Sequence, residues 1–200
     1  MRIGILGSGL MGGKLGTLFA RAGHEVVFSY SRDRKKLEEL ARNAGGKARV
    51  GTPAEAARSA DALLLAVHWS RVPDVLQQAG DLSGKVIVTC SLPMNATDTE
   101  LVVGHTSSGA EELARLAPGA KVVSALGTVP SEVLFAVFEA QDTADRPSMV
   151  YCGDDEDARG VAVKLIRDLG FEPVDAGPLQ IARYLARGVN MSAGHLSRQF

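Results

Sequence analysis

The stretch Gly7-Ser8-Gly9-Leu10-Met11-Gly12 most restricts what this chain can fold into. Before it, Ile3 to Leu6 is apolar and strand-sized. After it, Met11, Leu15, Leu18, Phe19 and Ala22 fall on one face of a helix running from Leu10 to Ala22. A GxGxxG turn gains its meaning from this strand-before, helix-after setting. Gly7 permits a tight turn, Gly9 lets the backbone approach a diphosphate, and Gly12 allows close packing of helix on strand. The N–H groups at the helix start, and the positive end of its dipole, then suit an anion.

The remainder repeats the alternation of short apolar runs with helical segments. Strands are expected at Glu25 to Ser29, Ala48 to Val50, Ala62 to Val67, Val86 to Val88, from Val122, at Met149 to Cys152 and at Phe171 to Val174. Helices are expected at Asp33 to Ala44, from Pro53, and at Val72 to Ala79, Ala110 to Leu116, Asp154 to Leu169 and Leu179 to Ala186. Ser108 and Glu111 read as a capping box for the helix from Ala110. The pattern predicts an α/β, Rossmann-type doubly wound sheet, mostly parallel. It is expected to divide into an NADP-binding domain over 1–128 and a small C-terminal lobe over 129–200, with room for dimer and substrate contacts on the lobe.

Composition excludes several classes. Hydrophobic residues at 46% and charged residues at 22% rule out a disordered chain. Lys and Arg number 22 against 23 acids, a net charge of −1, so no basic excess speaks for nucleic acid. Cys90 and Cys152 have neither a disulfide framework nor metal-ligand spacing. The longest apolar run, Ala62 to Val67, is far short of a membrane span, and no leader segment is visible. A reducing cytoplasm is the expected setting.

The end of the second strand discriminates between nicotinamide cofactors. An NAD site places a carboxylate there for the ribose 2′-OH, and an NADP site replaces it with cations and hydroxyls. This chain has Ser29-Tyr30-Ser31-Arg32, followed by Asp33, Arg34, Lys35 and Lys36. Arg32 can fork onto a phosphate and Ser31 can donate to it. Bases are unusual at a helix start, and a bound phosphate would account for them. NADP(H) is therefore the expected cofactor.

With these motifs the chain resembles the NADP-dependent reductase family that uses the deazaflavin coenzyme F420. The likeness rests on Ile3 to Gly12, on Ser29 to Arg32, on Leu65-Ala66-Val67-His68-Trp69, on Gly104 to Ala114, and on Asp175 to Leu179 with Ala182 to Leu185. It implies a cleft in which reduced nicotinamide meets a small-molecule hydride acceptor, and a homodimer. It assigns Ser8, Leu10 and Met11 to the diphosphate turn, Ser31 and Arg32 to the 2′-phosphate, and the tip from Ala66 through Val67 and His68 to Trp69 to the nicotinamide ribose. The chain departs from the family at Leu92-Pro93 and at Gly127-Thr128, where an Asn is usual, and at His68, where Pro is usual. It departs again at Gly188 to Ser192, where an apolar helix normally continues. These positions belong to the acceptor and dimer sides.

Other chemistry-bearing residues are few. His68, at the carboxyl end of a central strand, can be a proton donor to a carbonyl or imine, or a plain loop histidine. Trp69 reads as pocket wall or packing. His105 reads as a loop residue near the Ser108 cap, and Cys90 as a small buried residue with no activating neighbour. Leu92 and Met94 suit an apolar wall for a flat ring, or core. Arg183 and Arg187 can clamp an acidic substrate, or lie solvated. No HExxH and no supported Ser-His-Asp set occurs. No lysine follows Gly177, unlike hydroxyacid dehydrogenases that carry a catalytic lysine on a helical domain. The readings are a hydride-transferring oxidoreductase with a deazaflavin or small carbonyl or imine acceptor, and a non-catalytic NADP(H) sensor.

Overall fold

The structure, a computed structural model, describes residues 1–104, 106–141 and 145–185. The strands are β1 (Arg2–Leu6), β2 (Glu25–Ser29), β3 (Arg49–Val50), β4 (Ala62–Leu65), β5 (Val86–Thr89), β6 (Lys121–Ser124), β7 (Ser148–Gly153) and β8 (Glu172–Asp175). They form a sheet in the order β3-β2-β1-β4-β5-β6-β7-β8, parallel except where β7 runs against β6. The helices are α1 (Leu10–Arg21), α2 (Arg34–Ala44), α3 (Pro53–Ser59), α4 (Val72–Ala79), α5 (Gly109–Leu116), α6 (Leu134–Glu139) and α7 (Glu156–Asp168). This is the doubly wound Rossmann-type fold, with β7 and β8 continuing the sheet.

Strand alternation accounts for the two cores. Ile3 and Ile5, Val26 and Phe28, Ala62 and Leu64, Val86 and Val88 point to one face, with residues of α1, α2, α6 and α7. Leu6, Val27, Leu63, Leu65, Ile87 and Val122 point to the other, with residues of α3, α4 and α5. A strand covered on both faces must be apolar throughout, and the four residues of β4 are all buried.

Several element boundaries differ from the sequence reading. β4 stops at Leu65 rather than Val67, because Val67 N–H turns to the Ser91 hydroxyl at 3.2 Å while Ala66 N–H still reaches Leu6 O at 3.0 Å. Asp33 and Asp155 cap α2 and α7 from outside the helices, accepting from the N–H groups of Lys35 and Ala158. Ser108 does cap α5, but Glu111 accepts from the Ser108 hydroxyl at 2.8 Å and from Arg183. Leu179 to Ile181 is a 3₁₀ turn, and the expected end of that helix at Ala186 lies outside the described residues. No helix among the described residues is long and apolar enough to cross a membrane.

Candidate functional site

The chain leaves β1 toward β2 on one side, and β4 pairs with β1 on the other. The carboxyl ends of these strands thus flank the switch point at which open α/β sheets bind ligands. A cleft of about 1000 Å³ opens there. Its walls come from the turn after β1, the tip of β2, and the segment between β4 and α4.

Three glycines shape the first wall, each differently. Gly7 has φ +111°, and a Cβ there would lie 2.5 Å from Ala66 O. A Cβ on Gly12 would lie 1.8 Å from Gly7 O. A Cβ on Gly9 would meet no atom within 4 Å, so Gly9 presents bare backbone to the cleft. Gly9 is also the N-cap of α1, has no side-chain cap, and precedes a first turn without acids. The leading N–H groups of a helix have no partners within it, so this end fits a diphosphate.

The β2 tip is cationic. Ser31 Oγ accepts from Asp33 N–H at 3.2 Å, leaving its own proton without an acceptor among the described residues. Arg32 is exposed, and its guanidinium makes no hydrogen bond or ion pair among the described residues. Nearby acids are occupied. Asp33 caps α2, Glu55 forms the capping box of α3 with Thr52, and Asp74 accepts from the Tyr30 hydroxyl and from Gln78. Each of these local bonds holds Glu55 and Asp74 below their usual carboxylate range. Burial, then the bond to Asp74, pushes the Tyr30 phenol up to about 12.

Among the residues read from sequence, Gly7, Ser8, Gly9, Ser31, Arg32, Ala66, Val67 and His68 line this one cleft. Leu10, Met11 and Gly12 form the first turn of α1 beside it. The hydroxyls of Ser8 and Ser29 face inward. Ser8 donates to Ser29 O at 2.9 Å, and Ser29 donates to Ile5 O at 2.7 Å, both buried. They tie β1 to β2, so only the Ser8 backbone is left to face a ligand. Sequence reasoning missed Arg71, Asp74 and Gln78, which line the cleft from α4 and the turn before it. The signal was present for Arg71: a base at a helix start, as at Arg32.

His68 is half-buried and both ring nitrogens are engaged. Nδ1 accepts from Ser70, with its hydroxyl at 2.9 Å, and Nε2 lies 3.0 Å from Asn95 O and 3.2 Å from Asp98 Oδ1. It therefore bridges the β4 tip to the loop after β5. Asn95 in turn holds that loop through Thr97 and Thr99.

Leu92 and Gly127, the two positions lacking the usual Asn, come together with Pro93 and Thr128 around a cavity of about 30 Å³. The Cys90 backbone runs close to Gly127, and burial pushes the Cys90 thiol up to about 12. Arg183 is no substrate clamp: Nε donates to Glu111 Oε2 at 2.8 Å and a terminal nitrogen to Oε1 at 2.5 Å, fastening the C-terminal segment to α5. His105 and Arg187 lie outside the described residues. No group of three or more metal-ligating side chains occurs among those described.

A family model described as NADP oxidoreductase, coenzyme F420-dependent, matches residues 2–93, the part that builds this cleft. Over those residues the chain is similar to that family. It is 31% identical over 182 residues to the metalloreductase STEAP3 of Rattus norvegicus, covering 91% of this chain and 35% of that protein. To the F420-dependent NADP reductase of Methanocaldococcus jannaschii it is 27% identical over 199 residues, covering 92% of this chain and 87% of the relative. A crystal structure from Arthrobacter sp. FB24 superposes with TM-score 0.82 at 25% identity, over 99% of this chain and 92% of the other. The chain thus spans about a third of the rat metalloreductase and most of the archaeal reductase.

Proposed function

We propose that this chain belongs to that family, binds NADP(H) in the cleft and passes hydride between the nicotinamide and a small-molecule acceptor. The observation that carries the reading is a cation and a hydroxyl proton without hydrogen-bond or ion-pair partners among the described residues, Arg32 and Ser31, in the same cleft as the uncapped start of α1. Two anionic groups, a diphosphate and a 2′-phosphate, match these two places. When bound, NADPH supplies the hydride at its nicotinamide ring. The chain's residues need to align donor and acceptor and exclude water. Gly9 admits the diphosphate, Ser31 and Arg32 hold the 2′-phosphate, and Ala66 to His68 stand beside the nicotinamide ribose.

For the acceptor, the deazaflavin coenzyme F420 is the favoured reading. Reduction of a ketone or imine requires a proton donor. His68, the nearest candidate, spends both nitrogens on Ser70 and the Asn95 loop. A deazaflavin makes the smaller demand on protein acids. Leu92 and Gly127 supply no side-chain amide on the acceptor side, where they share a cavity with Pro93 and the hydroxyls of Ser91 and Thr128. A homodimer in the cytoplasm completes the proposal.

The test is titration with NADPH and NADH, followed by addition of oxidised coenzyme F420 with its absorbance monitored. NADPH preference with bleaching supports the whole reading. NADPH preference without bleaching removes the deazaflavin and leaves the carbonyl, imine and sensor readings. Arg32→Asp should weaken NADPH by about a hundredfold, since hydrogen bonds to charged groups contribute about 1.5–3 kcal/mol, and weaken NADH far less. Equal losses for the two nucleotides would remove Arg32 from the phosphate site.

A further inference from the structure

We propose that Arg71 is a second specificity-determining contact for the nucleotide 2′-phosphate, closing on it from the α4 side while Ser31 and Arg32 hold it from the β2 side. The assignment rests on the cleft being an NADP(H) site. A phosphate monoester carries about −1.5 to −2 charges at neutral pH, so it can take more than one cation; on the β2 side Lys36 also lines the cleft, while Arg34 is paired with Glu38. Arg71 lines the same cleft as Arg32 but enters from the opposite wall.

Its surroundings leave it available. Arg71 occupies the N-cap of α4, where Ser, Thr, Asp or Asn is normally preferred, and makes no side-chain cap. The acid best placed to neutralise it is Asp74, three residues on along the helix. Asp74 accepts from the Tyr30 hydroxyl and the Gln78 amide and forms no ion pair with Arg71, although the Arg71 charge still acts on its carboxylate. The Arg71 side chain has no hydrogen bond or ion pair among the described residues. Its backbone is well anchored: its N–H donates to His68 O at 2.8 Å, and the next residue, Val72, is fully buried. Tyr30, whose hydroxyl donates to Asp74 on α4, lines the same cleft as Arg32 and Arg71 and links the β2 tip to the α4 side.

The test is calorimetric titration of the full chain and its Arg71→Met and Arg71→Lys variants with NADPH, NADH, 2′,5′-ADP and 5′-AMP. Arg71→Met should weaken NADPH and 2′,5′-ADP by about tenfold or more, the worth of one charge-assisted hydrogen bond, and leave NADH and 5′-AMP within about twofold. Arg71→Lys should recover part of the loss, because charge is kept and the fork is not. Unchanged NADPH affinity overturns the assignment. So does an equal loss for phosphorylated and unphosphorylated ligands, which would mark a role in adenine stacking or folding. If the wild-type chain itself shows no preference for NADPH over NADH, the reading of the cleft fails, and Arg71 with it. If wild type and Arg71→Met show the same preference, only Arg71 fails.

Discussion

Replacing Gly9 by alanine should leave the fold intact and impair nucleotide binding, whereas alanine at Gly12 should disrupt the fold itself. Gly9 has φ −75° and ψ −156°, a conformation open to any L-residue, and its added Cβ would enter empty space. Gly→Ala at such a site changes stability by under about 1 kcal/mol, in the stabilising direction, because the unfolded chain loses freedom. The new methyl would occupy the approach of a diphosphate to the α1 N–H groups. Losing one such charge-assisted hydrogen bond amounts to about 1.5–3 kcal/mol, or roughly ten- to hundredfold in Kd. At Gly12 the added Cβ would lie 1.8 Å from Gly7 O, and neither the turn nor the helix backbone can yield cheaply. Overpacking of this kind costs about 1–3 kcal/mol or more. Thermal denaturation and NADPH titration of both variants form the assay. A Gly9→Ala protein that binds NADPH like wild type would refute the diphosphate site. A Gly9→Ala protein that melts early would refute the geometry of the turn.

Three further predictions concern residues outside the phosphate contacts. Burial, opposed more weakly by Asp168, lowers the pKa of the buried His24 below its unfolded value near 6.5. The unfolded chain therefore binds the proton more readily, so stability is full above about pH 6.5 and declines as pH falls through the folded pKa. Melting temperature followed from pH 7.5 to 5 should show this decline, and His24→Gln should flatten it; an unchanged slope would assign the pH dependence elsewhere. His68→Leu should raise amide hydrogen exchange across residues 95–101, since it removes the tie to Asn95 O; unaltered exchange would show that the loop stands without it. Arg183→Met should lower unfolding free energy in urea by about 2 kcal/mol, because Glu111 loses a bidentate partner at a largely buried position. No loss would mean the C-terminal segment is held by packing alone.

Much of this protein could be read along the chain because its decisive features are local. A glycine turn, a following helix face and the chemistry at a strand tip each occupy a dozen residues or fewer. The period of hydrophobicity and the positions of Gly and Pro determine them regardless of what packs above. The doubly wound fold and the two-faced burial of the strands were read in this way, and Ser31, Arg32 and the Gly7–Gly12 turn were picked out as candidate contacts by the same local signals.

What escaped the sequence depends on partners far apart in it. Ser8 in the turn and Ser29 at the strand tip both stand among the cofactor-side residues of the sequence, yet their hydroxyls donate to the backbone carbonyls of Ser29 and Ile5. Arg183 looks like a solvated helix arginine until Glu111, 72 residues away, is brought against it. His68 looks like a donor until the Asn95 loop folds over its second nitrogen. Arg71 carries the same anomaly as Arg32, a base at a helix start, but its significance emerges only when Tyr30 crosses the cleft to occupy Asp74. The sequence alone determined the backbone path and which residues stand at the β1 and β2 tips as candidate phosphate contacts, because propensity, periodicity and turn sterics are local. Tertiary structure decided which polar side chains are spent and which remain for a ligand, because a hydrogen bond between elements is settled only when the sheet brings its two ends together.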